Sequence, residues 1–175
     1  ISKRNEIIPQ VEECLQDGDS AIKIPKYCPV CGGKTEVVKE NESEVLVCTN
    51  PNCSGKLLGR LKFFVSKPAI NIEGLSEATL EKFIALGWLS SFKDIFSLKE
   101  HFTEMVKLDS FGETSVNKLL NAIEKSRDVK LENFITALSI PDVGLSTAKT
   151  IAARFDDWRS FIVRATDFKW EELDG

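Results

Sequence analysis

A threefold repeat constrains this chain more than any other feature. Aligned segments place Gly74, Ser110 and Asp142 at equivalent anchor positions, 36 and 32 residues apart. Four residues before each anchor stand Ile70, Val106 and Leu138; two before stand Ile72, Leu108 and Ile140; one after stand Leu75, Phe111 and Val143. Then, six, nine, ten and thirteen residues past the anchor, comes a second apolar set. It comprises Leu80, Phe83, Ile84 and Gly87, then Val116, Leu119, Leu120 and Ile123, then Ala148, Ile151, Ala152 and Phe155. That i, i+3, i+4, i+7 spacing marks the buried stripe of a helix. Each unit therefore reads as helix, tight turn, second helix, and the units must pack together, because one alone cannot bury its apolar face. The turns follow a relaxed apolar-Gly-apolar-Gly pattern, filled by Gly74 and Ser76, by Ser110 and Gly112, and by Asp142 and Gly144. Glycine there permits positive φ and close approach of a ligand. The first amides of the second helix are unpaired and, with the helix dipole, favour an anion. Such a turn can hold a phosphodiester without touching a base.

Ahead of the repeats the cysteines carry the argument. Cys28 and Cys31 form one tight pair and Cys48 and Cys53 another, with 16 residues between them. Two such pairs supply four soft ligands for a tetrahedral metal. The opening, ISKRNEIIPQ, lacks the apolar centre of a signal peptide, so a reducing compartment is expected, where thiols hold metal rather than pair. A structural zinc is the expected ion; iron held by similar knuckles is the competitor. Pro29, Gly32-Gly33 and Asn50-Pro51-Asn52 are turn residues that aim amides at sulfur. Val37, Val38, Val45 and Val47 flank a polar tip, residues 40–44, and read as a β-hairpin. Four cysteine ligands leave no open position, so the metal is structural, and so small a module depends on it to fold. Cys14 reads as a lone thiol beside Glu12 and Glu13.

The ordered combination resembles the C-terminal part of bacterial NAD-dependent DNA ligases, a four-cysteine finger followed by tandem helix-hairpin-helix motifs. Residues 64–76, FVSKPAINIEGLS, are similar to the family's FVS-(R/K)-x-A-(M/I)-N-I-x-G-L-G segment. Residues 137–144, ALSIPDVG, are similar to its A-L-G-I-x-x-V-G segment, and residues 4–11, RNEIIPQV, to the tail of the oligonucleotide-binding barrel before the finger. The resemblance implies that the whole enzyme seals nicks in duplex DNA during replication and repair. It would adenylate the lysine of a K-x-D-G motif from NAD, with Mg, in other domains. No K-x-D-G occurs here, so this chain should be inactive alone and carry no catalytic or cofactor-binding residue. Its part would be to grip the sugar-phosphate backbone from the minor-groove side. The family's glycines are replaced at Ser76, Ser110 and Ser139, Asn5-Glu6 stands where Gly-Asp is usual, and Asp142 puts a carboxylate where a basic residue is frequent. The third hairpin is therefore expected to be mainly structural.

Net charge is −4, so nucleic-acid binding must rest on local patches rather than bulk charge. From Val45 through Ile72 there is no acid, while Lys56, Arg60, Lys62 and Lys67 contribute four positive charges. That stretch is the expected phosphate track, beside Gly74, Ser76, Ser110, Gly112 and Gly144. Lys82 and Lys118, eight past their anchors, read as exposed solubilising residues. Trp88, Trp158 and Trp170 are expected to pack at helix ends rather than stack on bases, and His101, the single histidine, to be a surface or packing residue.

The expected fold is mainly α: tandem helix-hairpin-helix repeats preceded by a small β zinc ribbon or finger. Residues 1–22 would be the end of an oligonucleotide-binding domain and a linker, 23–58 the finger, and 59–175 the helical domain, stopping inside a fourth hairpin. The chain lacks an initiator Met, with Met105 its single methionine, and is expected to be a piece of a longer cytoplasmic, nucleoid-associated bacterial protein. A monomer bound to nicked duplex DNA, without membrane association, is expected. The alternative is a non-catalytic helix-hairpin-helix adaptor of repair or recombination. A helix-hairpin-helix glycosylase and a rubredoxin-like carrier fit less well, since neither uses both a thiol finger and tandem hairpins.

Overall fold

The computed structural model describes residues 2–4, 8–10, 23–40 and 43–167. The linker at 16–20, Cys14, Glu42, Trp170 and the start of a fourth hairpin turn at 171–175 lie outside the described residues. The chain divides into two compact units, Ile1–Thr49 and Asn50–Gly175.

The first unit holds two short antiparallel sheets. Strands β1 (Ser2–Arg4) and β2 (Ile8–Gln10) pair with Lys3 opposite Pro9. Strands β3 (Thr35–Glu40) and β4 (Ser43–Cys48) form the expected hairpin, in a register that sets Val37 against Leu46 and Val38 against Val45. These four side chains are all exposed, so the hairpin has no buried apolar face of its own among the described residues. A two-stranded ribbon of this kind is marginal by itself. Its stabilisation must come from elsewhere.

The second unit is helical. Helices α1 (Ser54–Phe64) and α2 (Glu77–Ala85) make the first hairpin. Helix α3 (Phe92–Ile95) and a 3-10 turn (Leu98–His101) lead into α4 (Phe102–Met105), which forms the second hairpin with α5 (Glu113–Lys125). Helices α6 (Leu131–Ala137) and α7 (Leu145–Ala152) make the third, and α8 (Trp158–Asp167) follows. No described helix is long and apolar enough to cross a membrane.

Half of the stripe read from the repeat is fully buried, while Ile84, Leu120, Ile151, Ala152 and Phe155 are half-buried and Gly87 is exposed. Leu80 and Phe83 from α2, Val116, Leu119 and Ile123 from α5, and Ala148 from α7 are all buried. Leu61, Phe64, Leu89, Ile95, Leu98 and Met105 join the first two helical hairpins into one cluster. Phe64 stacks on Phe92 with ring centres 4.5 Å apart, and Phe83 lies 5.7 Å from Phe111. The hairpins also cross-link: Asn133 Nδ2 of α6 donates to the Pro68 carbonyl at 2.9 Å.

The third unit departs from the pattern. Ile70 and Ile72 are 4% and 3% exposed in the first turn, but their counterparts Leu138 and Ile140 are 37% and 41% exposed. Among the described residues nothing covers that turn as α5 covers the first. Trp88 packs as expected, with its ring stacked on His101 at 4.6 Å, which also gives the histidine its packing role. Trp158 does not: it is 54% exposed on the first residue of α8, with Arg159 lying 5.5 Å over its ring. Its apolar neighbours Ile162 and Val163, one turn along the same helix, are exposed too among the described residues.

Candidate metal centre and hairpin surface

The four cysteines converge. The sulfurs of Cys28, Cys31, Cys48 and Cys53 all lie within 4.8 Å of one another. Cys31 and Cys48 sulfurs are 3.5 Å apart. A tetrahedral ion with metal–sulfur bonds of about 2.3 Å requires sulfur separations of about 3.8 Å, so the donor set fits such an ion with small adjustment. Local backbone builds the knuckles. Cys28 N–H donates to Gly33 O at 2.7 Å and Gly32 N–H to Cys28 O at 2.9 Å, with Gly32 at φ +68°. That turn aims Gly33 N–H at Cys31 Sγ, 3.4 Å away. Amides of Cys31 and Val30 hold the Cys28 thiol below its ordinary pKa, which favours the thiolate a metal needs. In the second knuckle Asn50 Oδ1 accepts from Asn52 N–H at 2.9 Å, a side chain closing its own turn. Cys53 is the N-cap of α1, whose first turn carries no acid.

The three hairpin turns share one backbone signature. Each anchor is left-handed, with φ +95° at Gly74, +72° at Ser110 and +61° at Asp142. Two residues on, Ser76, Gly112 and Gly144 are the N-caps of α2, α5 and α7 in extended conformation. Asn71 and Ser139, three before the first and third anchors, are also left-handed; nothing of the kind is found in the second turn. One replacement of glycine has a local reason, while nothing in the turns explains serine at the left-handed positions 110 and 139. Ser76 accepts from Thr79 N–H at 3.2 Å, a cap that glycine lacks. Asp142 is among the residues that tolerate a left-handed conformation best. Positive φ is needed at the anchor and not at Gly112 or Gly144, whose φ values are −107° and −79°. A Cβ at either would meet nothing within 4 Å, so neither the backbone nor the packing of the chain requires glycine there.

Structure brings some of the expected contacts together and separates others. Gly74, Ser76 and Ser110 line one open groove of about 1330 Å³ between the first two hairpins. Gly144 lies apart, in a smaller recess with Phe63, Ile140 and Val143. On α1, Lys56 and Arg60 are exposed, and the Arg60 guanidinium sits 5.1 Å over the Phe92 ring. Lys62 is already engaged, with Nζ 2.5 Å from Glu77 Oε2. Lys67 lines a third pocket with Asn71, Lys125 and Lys130. Lys82 and Lys118 are exposed, as expected, yet both face the groove between the first two hairpins. The signal for them was in the sequence, in their shared position eight past the anchor, but depth along the helix spoke against it.

Fold and site define a class: a four-cysteine knuckle module followed in the chain by a helical repeat whose turns present helix N-termini. Comparison with curated proteins then shows what the chain is similar to. The chain is 43% identical over 159 residues to a DNA ligase of Ruminiclostridium cellulolyticum, covering 90% of this chain. It is 43% identical over 155 residues to a DNA ligase of Lachnoclostridium phytofermentans and 37% identical over 177 residues to one of Petrotoga mobilis, the latter covering 99% of this chain. The chain spans only about a quarter of the length of these curated relatives: the matches cover 24%, 24% and 26% of those proteins. No protein-family model matches the chain.

Proposed function

We propose that this chain is the DNA-gripping, C-terminal part of a bacterial NAD-dependent DNA ligase that seals nicks in duplex DNA. The observation that carries the reading is the repeated turn. Three second helices each have their N-cap two residues past a left-handed anchor, and Gly112 and Gly144 stand bare at positions where the fold does not need glycine. Bare N-caps leave the helix amides open to an anion, and phosphodiester oxygens are the anions a ligase must hold. Gly74, Ser76, Ser110, Gly112 and Gly144 would contact the backbone, with Lys56, Arg60 and Lys67 as outlying cations. Lys62 would have to leave Glu77 to join them.

The four thiolates hold zinc as a structural ion, which ties the second knuckle to the first. In this reading residues 1–22 end an oligonucleotide-binding domain, 23–58 are the finger and 59–175 the helix-hairpin-helix domain of a monomeric cytoplasmic enzyme. Adenylation from NAD, Mg binding and strand joining belong to the remainder of the ligase, and this chain alone seals nothing. The similarity to DNA ligases favours this over a free-standing adaptor.

Fluorescence anisotropy with nicked, intact and single-stranded DNA across a salt series tests it. The expected result is duplex binding that weakens steeply with salt, with single strands bound less. Absence of duplex binding at low salt would refute an autonomous grip.

A further inference from the structure

The first two hairpins are related by an approximate exchange. Gly74, the first anchor, faces Leu119, where an added Cβ would lie 3.4 Å from Cδ1. Phe111, beside the second anchor, faces Phe83 with ring centres 5.7 Å apart. Leu119 and Phe83 are equivalent, each nine residues past its own anchor. One position earlier on each helix stands a lysine, Lys82 on α2 and Lys118 on α5. Lys82 serves the opposite turn rather than its own. Its Nζ donates to the Asp109 carbonyl at 3.3 Å and lies 5.9 Å from the centre of the Phe111 ring, on either side of the anchor Ser110 in sequence. Lys118 lines the same groove as Glu73 and Gly74 of the first turn. The third unit has Thr150 at this position.

The geometry points to Lys82 and Lys118 as a matched pair of phosphate ligands, each completing the turn of the other hairpin, so that the groove holds one phosphate from each strand of a duplex. This rests on the duplex-gripping reading above and adds to it which side chains meet the phosphates. The two backbones of a duplex are antiparallel and related by local two-fold axes, so a two-fold pair of contacts meets both strands alike. An ammonium on a flexible stem suits a phosphate as a point charge. Lys82 has three N–H donors and uses one of them at Asp109 O, with the Phe111 ring centre 5.9 Å from its Nζ. The groove also carries Glu73 and Asp109, each the residue before its anchor. Without the two lysines its charge would turn acidic.

Lys82→Met and Lys118→Met keep an apolar stem and remove the charge. Duplex binding by the whole 175-residue chain is measured by anisotropy across a salt series, beside the exposed Lys99→Met as a control of equal charge change. Each groove variant is expected to lower the slope of log K against log salt by about 0.9, and the double variant by about 1.8. Lys99→Met should leave the slope unchanged. Arginine at both positions should restore it, which separates a charge effect from a folding defect. An unchanged slope in the double variant, with duplex still bound, would overturn the paired-lysine assignment and leave the duplex reading standing. A chain that binds no duplex before substitution would overturn both.

Discussion

Gly112→Asp should make the protein more stable and a worse DNA binder at once. Gly112 caps α5 at φ −107° and ψ 167°, an extended conformation that any residue adopts, and a Cβ there meets nothing within 4 Å. Aspartate is a preferred cap, and replacing glycine with it gains a few tenths of a kcal/mol. Its charge at the positive end of the helix dipole adds about 0.3–1 kcal/mol. Glu113, the next residue and already acidic, offsets part of this. The net gain is about 0.5–1 kcal/mol, or a rise in Tm of about 1–4 °C for a chain of this size. For a phosphate at the same amides the sign reverses. Two unit charges about 4 Å apart repel by about 1 kcal/mol in bulk water and about 4 kcal/mol near a protein surface, so duplex affinity should fall at least about fivefold. Gly74→Ala is the contrast: φ is +95° and Leu119 is already 3.4 Å from the new Cβ. It should cost about 1–2 kcal/mol through backbone strain alone. Thermal melts and anisotropy on the same three proteins decide the matter. A lower Tm for Gly112→Asp would refute the open-cap geometry, and undiminished duplex binding would refute the phosphate role of that turn.

Phe83→Ala removes a fully buried ring that packs 5.2 Å from Trp88 and 5.7 Å from Phe111, and should cost about 3–5 kcal/mol in urea unfolding. Chelation of the metal, or Cys48→Ser, should expose residues 23–49 to protease while most of the far-UV helical signal survives, because the described helices all lie within residues 54–167. Collapse of that signal would refute the independence of the helices from the metal. Asp94 accepts from the Ser90 hydroxyl at 2.7 Å and from the Ser90 and Ser91 amides at 2.8 Å each, which holds its carboxyl below the usual range. A lowered folded pKa means stabilisation that is present above the ordinary carboxylate value and lost as pH falls through the folded one. The Tm gap between the parent and Asp94→Ala should therefore be flat between about pH 5 and 7 and close in acid. A gap that widens in acid would contradict the assignment.

Much of the fold was legible because it rests on local rules. The spacing of Leu80 and Phe83, of Val116, Leu119 and Ile123, and of Ala148 dictated which faces of the second helices are buried. The anchors Gly74, Ser110 and Asp142, aligned from sequence alone, are all left-handed, although Asn71 and Ser139, which the alignment did not mark, are left-handed too. Cysteine spacing dictated the four-sulfur cluster, since each knuckle closes within a few residues through its own turn hydrogen bonds. What the tertiary structure decided is which unit faces which. Periodicity gives every repeat the same apolar positions, yet burial depends on a partner. Ile72 is buried, whereas Ile140 is 41% exposed. Charge was hardest to read, because a lysine's surroundings come from other segments: Lys62 lies against Glu77, 15 residues away, and Lys82 reaches the Asp109 carbonyl, 27 residues away. The chain alone marks residues that can be buried, turned or charged, and only packing between units decides which of them meet.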